Sequence, residues 1–166
     1  YFPGGNDNAS GASMLLALAK NFKAHPSKYN IVFVSFAGEE AGLLGSHFYV
    51  ENPMTPLKDI RFLINLDIMG SGEDGITIVN ATLFPKAFKK FTKINKKRKL
   101  LKAVNSRGPA ANSDHYFFTE KGVPAVFIYT QGPNKHYHDI YDTYAELSFA
   151  ETIDLLELLK VFVKKI

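Results

Sequence analysis

Two adjacent carboxylates, Glu39 and Glu40, sit in a glycine-flanked stretch, Gly38-Glu39-Glu40-Ala41-Gly42-Leu43-Leu44-Gly45-Ser46. Neighbouring acids repel, and ionising both costs energy unless a cation lies near. A metal resolves the conflict: one Glu coordinates it and the other stands beside it as a base. An exposed acidic turn between a strand and a helix is the alternative reading of the same residues. Three more polar groups stand out. Asp7 lies inside Gly4-Gly5-Asn6-Asp7-Asn8-Ala9-Ser10-Gly11, a run of turn formers in which it could equally cap a helix or close an Asx-turn. Asp67 stands near the end of the apolar run Phe62–Met69, where a buried carboxylate needs a cation, a donor set or a shifted pKa. His138 belongs to a stretch from Gln131 to Thr143 that is dense in metal-binding and hydrogen-bonding groups, with Tyr137 beside it. Asp114 and His115, after Ser113, serve either as a cap-and-surface pair or as part of a site.

The elements that must position these groups follow from periodicity. Ile31 to Phe36 is apolar, β-branched and aromatic, which predicts a buried strand ending at the Glu39-Glu40 turn. Further strands are predicted within Phe62–Met69, at Ile76–Val79, at Leu100–Val104 and at Ala125–Tyr129. Helices are predicted from Ser10 to Ala24, Leu43 to Val50, Phe84 to Lys97, Ser113 to Lys121 and Ser148 to Lys164, with Ser10 and Ser113 as N-caps. Helices alternating with apolar strands imply an α/β fold with a mostly parallel sheet covered on both faces. Ligands in such folds bind beyond the carboxyl ends of strands. Asp7, Glu39, Glu40, Asp67 and His138 all fall in loops or at strand ends, so one site at one edge of the sheet collects them.

Composition narrows the chemistry. The 166 residues, 46% hydrophobic and 22% charged, suit one globular domain with an adequate core. The absence of Cys excludes thiolate zinc sites, thiol catalysis and disulfides. Much of the Lys and Arg behind the net charge of +4 falls between Lys86 and Lys102. Without an aromatic stacking set, that run reads as a solvated helix face rather than a nucleic-acid surface. No stretch approaches the roughly 20 apolar residues of a membrane span. The chain opens on Tyr1 in loop-like sequence, which carries the expectation that an N-terminal part is missing.

In order along the chain, Gly5–Gly11, Gly38–Ser46, Asn65-Leu66-Asp67, Ser113-Asp114-His115 and Tyr137-His138 followed by Asp142-Thr143 resemble the motifs of the M28 family of zinc aminopeptidases. The resemblance implies a three-layer α/β/α fold with a doubly wound mixed sheet and a pair of zinc ions. Transferred residue by residue, it makes Asp7 the bridging ligand. Glu40 and His138 complete one metal's set, and Asp67 belongs to the other. Glu39 becomes the general base acting on a metal-held water, and Tyr137 the group that steadies the oxyanion. Asp114 and His115 become residues of the substrate pocket or supports of the ligands. The family also carries a non-proline cis peptide after the bridging Asp, expected here at Asp7-Asn8. The expected substrates are peptides with a free N-terminus, and family habit suggests export from the cell.

The chain departs from the family at one point. A His-x-Asp motif normally precedes the bridging Asp, and none is present here. Asp7, Glu40 and His138 still form a three-ligand set typical of catalytic zinc, whereas the second metal keeps only Asp7 and Asp67. The expectation is one well-formed zinc site and a poor second one. Without the segment that carries the motif, an apolar edge would be exposed and favour self-association. A single-zinc glutaminyl cyclase, which needs only Asp7, Glu40 and His138, is the alternative enzyme. A non-catalytic domain on the same scaffold is the third reading.

Overall fold

The computed structural model describes residues 2–166. The turn formers of the first loop make one wide turn: the Ala9 N–H donates to the Gly4 carbonyl at 3.0 Å, and Asp7 and Asn8 hold non-helical dihedrals. The Asp7-Asn8 peptide is cis, as the family resemblance predicts. Helix α1 (Gly11–Ala24) follows and buries Met14, Leu18 and Phe22 at helical spacing. The remaining α-helices and strands are α2 (Leu44–Glu51), β1 (Leu63–Leu66), β2 (Gly75–Val79), α3 (Pro85–Arg98), β3 (Val104–Ser106), α4 (His115–Glu120), β4 (Ala125–Gln131) and α5 (Thr152–Val163).

The strands form one mixed sheet in the order β1-β4-β2-β3. β1 runs parallel to β4 and β2 parallel to β3, while β4 and β2 are antiparallel. β2 and β4 are central and almost wholly buried, which explains their mostly apolar sequences. On one face α1, α3 and α5 enclose a core that includes Leu18, Phe91, Leu158 and Phe162. On the other, α2 and α4 bring Val50 and Phe118 together over Ala125. Phe91 and Phe162 stack nearly parallel with ring centroids 3.6 Å apart, both fully buried. Phe162→Ala is therefore expected to cost about 3–5 kcal/mol of stability, read from urea unfolding curves. The lysines of α3 at 86, 89, 93, 96 and 97 all face solvent, opposite the buried Phe91 and Ile94.

Three predicted elements differ. Ile31 to Phe36 is not a strand: among the described residues its backbone makes no ladder hydrogen bond, and Val32 is 66% exposed. β-propensity describes fitness for a sheet, but pairing requires a neighbour that supplies partners. The predicted strand at Leu100–Val104 lies later, at β3. The Asn95 amide holds the Leu101 N–H at 2.8 Å and the Leu101 carbonyl at 2.9 Å, keeping that stretch as a turn off α3. The last helix begins at Thr152 rather than Ser148, because Phe149 and Glu151 adopt left-handed backbone (φ 50° and 60°) and the Phe149 N–H donates to the Gly70 carbonyl.

Candidate metal centre

The Glu39-Glu40 turn is built locally. The Gly45 N–H donates to the Ala37 carbonyl at 2.8 Å, the Leu44 N–H to the Gly38 carbonyl at 3.0 Å and the Leu43 N–H to the Glu39 carbonyl at 2.8 Å. These bonds present both acids just before α2 without a preceding strand. Asp67 sits one residue beyond β1, its N–H donating to the Ile128 carbonyl at 3.2 Å. Ile68, the next residue, has φ 60°, unusual for a β-branched side chain. Its carbonyl accepts from the Thr130 N–H (2.9 Å) and hydroxyl (2.8 Å), so the surrounding structure imposes this conformation. His138 also lies at positive φ (53°), in the loop after β4.

The structure brings Asp7, Glu40 and His138 together, with one potential ligand atom from each within 4.8 Å of the others. His138 Nε2 is 3.2 Å from Asp7 Oδ2 and 2.8 Å from Glu40 Oε1. Among the described residues no Lys or Arg ion pair reaches Asp7, Glu39, Glu40, Asp67 or Asp114. One imidazole and two carboxylates, with no cationic side chain to neutralise them, form a donor set that suits zinc. Asp67 lies outside this three-donor group. Its Oδ2 accepts from the Ser113 hydroxyl at 3.0 Å, itself an acceptor for Asn65 Nδ2 at 2.6 Å, and its Oδ1 is buried without a partner. His25, His47 and His136 do not join the cluster. His25 ends α1, His47 stacks on Phe117 at 4.3 Å, and His136 lies 3.7 Å from Glu146.

Crowded acids shift one another. Burial, then the charges of Asp67 and Glu40, push Asp7 up to about 6. Burial, then Asp67, Asp114 and Glu40, push Glu39 up to about 7. Burial also raises Asp67 and Asp114. Tyr137 stacks on His138 at 3.9 Å, and partial burial with the surrounding negative charge raises its phenol, so the O–H stays protonated at neutral pH. His115 is fully buried against Phe127, and burial lowers its pKa to about 4. It has no solvent-facing surface, whereas the Asp114 charge raises Glu39 and Asp67.

The raised pKa of Glu39 has a testable sign in the metal-free chain. Below about pH 4 the folded and unfolded forms both hold the proton. Between 4.5 and about 7 the unfolded form releases it while the fold retains it, so stability falls across that window as pH rises. Chelated wild type is expected to lose thermal stability relative to Glu39→Gln between pH 5 and 8. The comparison cancels groups that Glu39 does not touch, His115 among them, and equal slopes for the two proteins would refute it.

Two serines that read as helix caps do other work. The Ser10 hydroxyl donates to the Asn6 carbonyl (2.6 Å) and accepts the Met69 N–H (2.7 Å), and the Ser113 hydroxyl holds Asp67. Asp142, quoted in the sequence motif without a role, accepts the backbone N–H groups of Asn6 and Asp7. Long-range bonds of this kind leave no periodic trace; the one sequence signal is an Asp shortly after His138.

The family model described as peptidase family M28 matches residues 2–163. Aminopeptidase YwaD of Bacillus subtilis is 43% identical over 72 residues, covering 43% of this chain and 16% of that protein. The structure of BSAP, a zinc aminopeptidase from Bacillus subtilis, superposes with a TM-score of 0.84 at 26% identity, covering 99% of this chain and 42% of that one. Bacteroides thetaiotaomicron glutaminyl cyclase shares the fold, with a TM-score of 0.77 at 20% identity over 99% of this chain and 64% of that one. The chain thus spans less than half the length of the two Bacillus proteins.

Proposed function

The chain belongs to peptidase family M28, and from that premise we propose that it carries the catalytic centre of a zinc-dependent aminopeptidase. The observation that supports this most is the convergence of Asp7, Glu40 and His138, drawn from three distant parts of the chain, within 4.8 Å. These three would hold the ion. Among the described residues Asp67 joins no group of three such donors, so for the residues present here one tight zinc is proposed. When bound, zinc supplies Lewis acidity that polarises a carbonyl and lowers the pKa of water toward about 7.

The protein's own groups supply the remainder. Glu39 is beside the cluster but not in it, and as a free carboxylate next to the ion it would take a proton from the attacking water and return it to the leaving amine. Tyr137, protonated at neutral pH, donates its O–H to the carbonyl oxygen as negative charge grows there. Asp67 and Asp114, acids outside the three-donor set, would supply the negative charge that favours a substrate's free α-ammonium and so action at the N-terminus.

A single-zinc glutaminyl cyclase is the second reading, favoured by the one-imidazole donor set and the shared fold. Two assays on the same protein separate the readings. Zinc-dependent release of p-nitroaniline from leucyl-p-nitroanilide, abolished by chelation, supports the aminopeptidase. Ammonia release from an N-terminal Gln peptide with no p-nitroaniline supports the cyclase.

A further inference from the structure

We infer that Asp142 is a positioning residue for the metal centre: its carboxylate fixes the turn that carries Asp7 and, through that turn, the loop that carries Asp67. The inference rests on the metal-centre reading above, but not on the reaction catalysed there. Asp142 is 1% exposed, and each carboxylate oxygen accepts one backbone N–H, that of Asn6 at 2.8 Å and that of Asp7 at 3.0 Å. No Lys or Arg ion pair offsets this buried charge among the described residues; backbone donors alone satisfy it. The Gly5 N–H adds a bond to the Asp142 carbonyl at 2.8 Å. The backbones meet so closely that a Cβ on Gly5 would lie 2.7 Å from the Thr143 carbonyl carbon and 2.9 Å from the Asp142 carbonyl oxygen.

The turn held in this way grips the Asp67 loop in its own right. Three consecutive N–H groups, those of Ile68, Met69 and Gly70, donate to Asn8 Oδ1 (3.2 Å), Ser10 Oγ (2.7 Å) and Asn6 Oδ1 (2.8 Å). Asn8 Nδ2 also donates to the Leu66 carbonyl at 3.1 Å. The segment that delivers His138 therefore locks onto the Asp7 turn four residues later, and the Asp7 turn locks onto the segment after Asp67. Glu40 stands outside this network on its own turn. A carboxylate is required at 142 because both its oxygens accept. An asparagine of the same size turns its NH₂ toward one of the two N–H donors and breaks that bond.

The test is zinc affinity, measured by competition with a chromophoric chelator, together with the visible spectrum of the cobalt-substituted protein. Asp142→Asn is expected to bind zinc about 10–100-fold more weakly, to change the cobalt bands and to lower kcat with KM retained, as loss of a ligand's support does. Gly5→Ala keeps the carboxylate but forces the two backbones apart, and is expected to weaken zinc by a similar factor. It also serves if Asp142→Asn does not fold. Lys135→Ala, an exposed change in the loop after β4, is expected to leave affinity and spectrum unchanged. Wild-type affinity and cobalt bands in Asp142→Asn or, failing its folding, in Gly5→Ala would overturn the inference even if the variant melts earlier. A wild-type chain that binds no zinc would overturn the metal centre itself.

Discussion

Glu39→Gln is expected to lower kcat on leucyl-p-nitroanilide by about 10²- to 10⁴-fold while zinc affinity and KM stay within a fewfold of wild type. The substitution keeps size and shape and removes only the capacity to take a proton near neutral pH. Glu39 lies outside the Asp7-Glu40-His138 cluster, so the ion should remain. A loss in kcat and kcat/KM together, with binding retained, marks an interaction made only in the transition state. Steady-state kinetics beside a zinc titration checks both halves. A variant that loses zinc instead would make Glu39 a ligand, and one with full kcat would remove it from the chemistry.

His138→Ala is expected to weaken zinc binding by more than about 100-fold, beyond what loss of a ligand's supporting partner costs, and to abolish hydrolysis at stoichiometric zinc. His138 is the cluster's one imidazole, lying 3.2 Å from Asp7 and 2.8 Å from Glu40. Without it two carboxylates remain, and proton binding competes with the metal for Asp7, whose pKa already stands near 6. His47→Ala and His136→Ala are the controls. The first loses a stack on Phe117 and the second a contact with Glu146, and neither should change zinc affinity.

The parts of this fold legible in sequence are those governed by local periodicity. The apolar stripe of α1, the lysine-faced α3 and the unbroken apolar run of β4 sit where their patterns put them. The three-donor cluster is legible for another reason: Asp7, Glu40 and His138 lie in short motifs whose order along the chain is specific. Pairing is not local, so the strand-like run at Ile31–Phe36 gave no sign that it would lack a ladder partner. The duties of small polar residues were hidden in the same way. Ser10 and Ser113 have the right type and place for caps, yet their hydroxyls serve Met69 and Asp67 across the fold. His115, next to an acid in a plausible site motif, is a core residue because α4 turns its ring onto Phe127.

One zinc, held by Asp7, Glu40 and His138, is proposed to support hydrolysis. The most direct test is activity on leucyl-p-nitroanilide as zinc is titrated into chelator-stripped protein of known concentration. A linear rise that breaks to a plateau at one equivalent is expected. A rise that continues to two equivalents, or no hydrolysis at any zinc level from a folded chain, would contradict it.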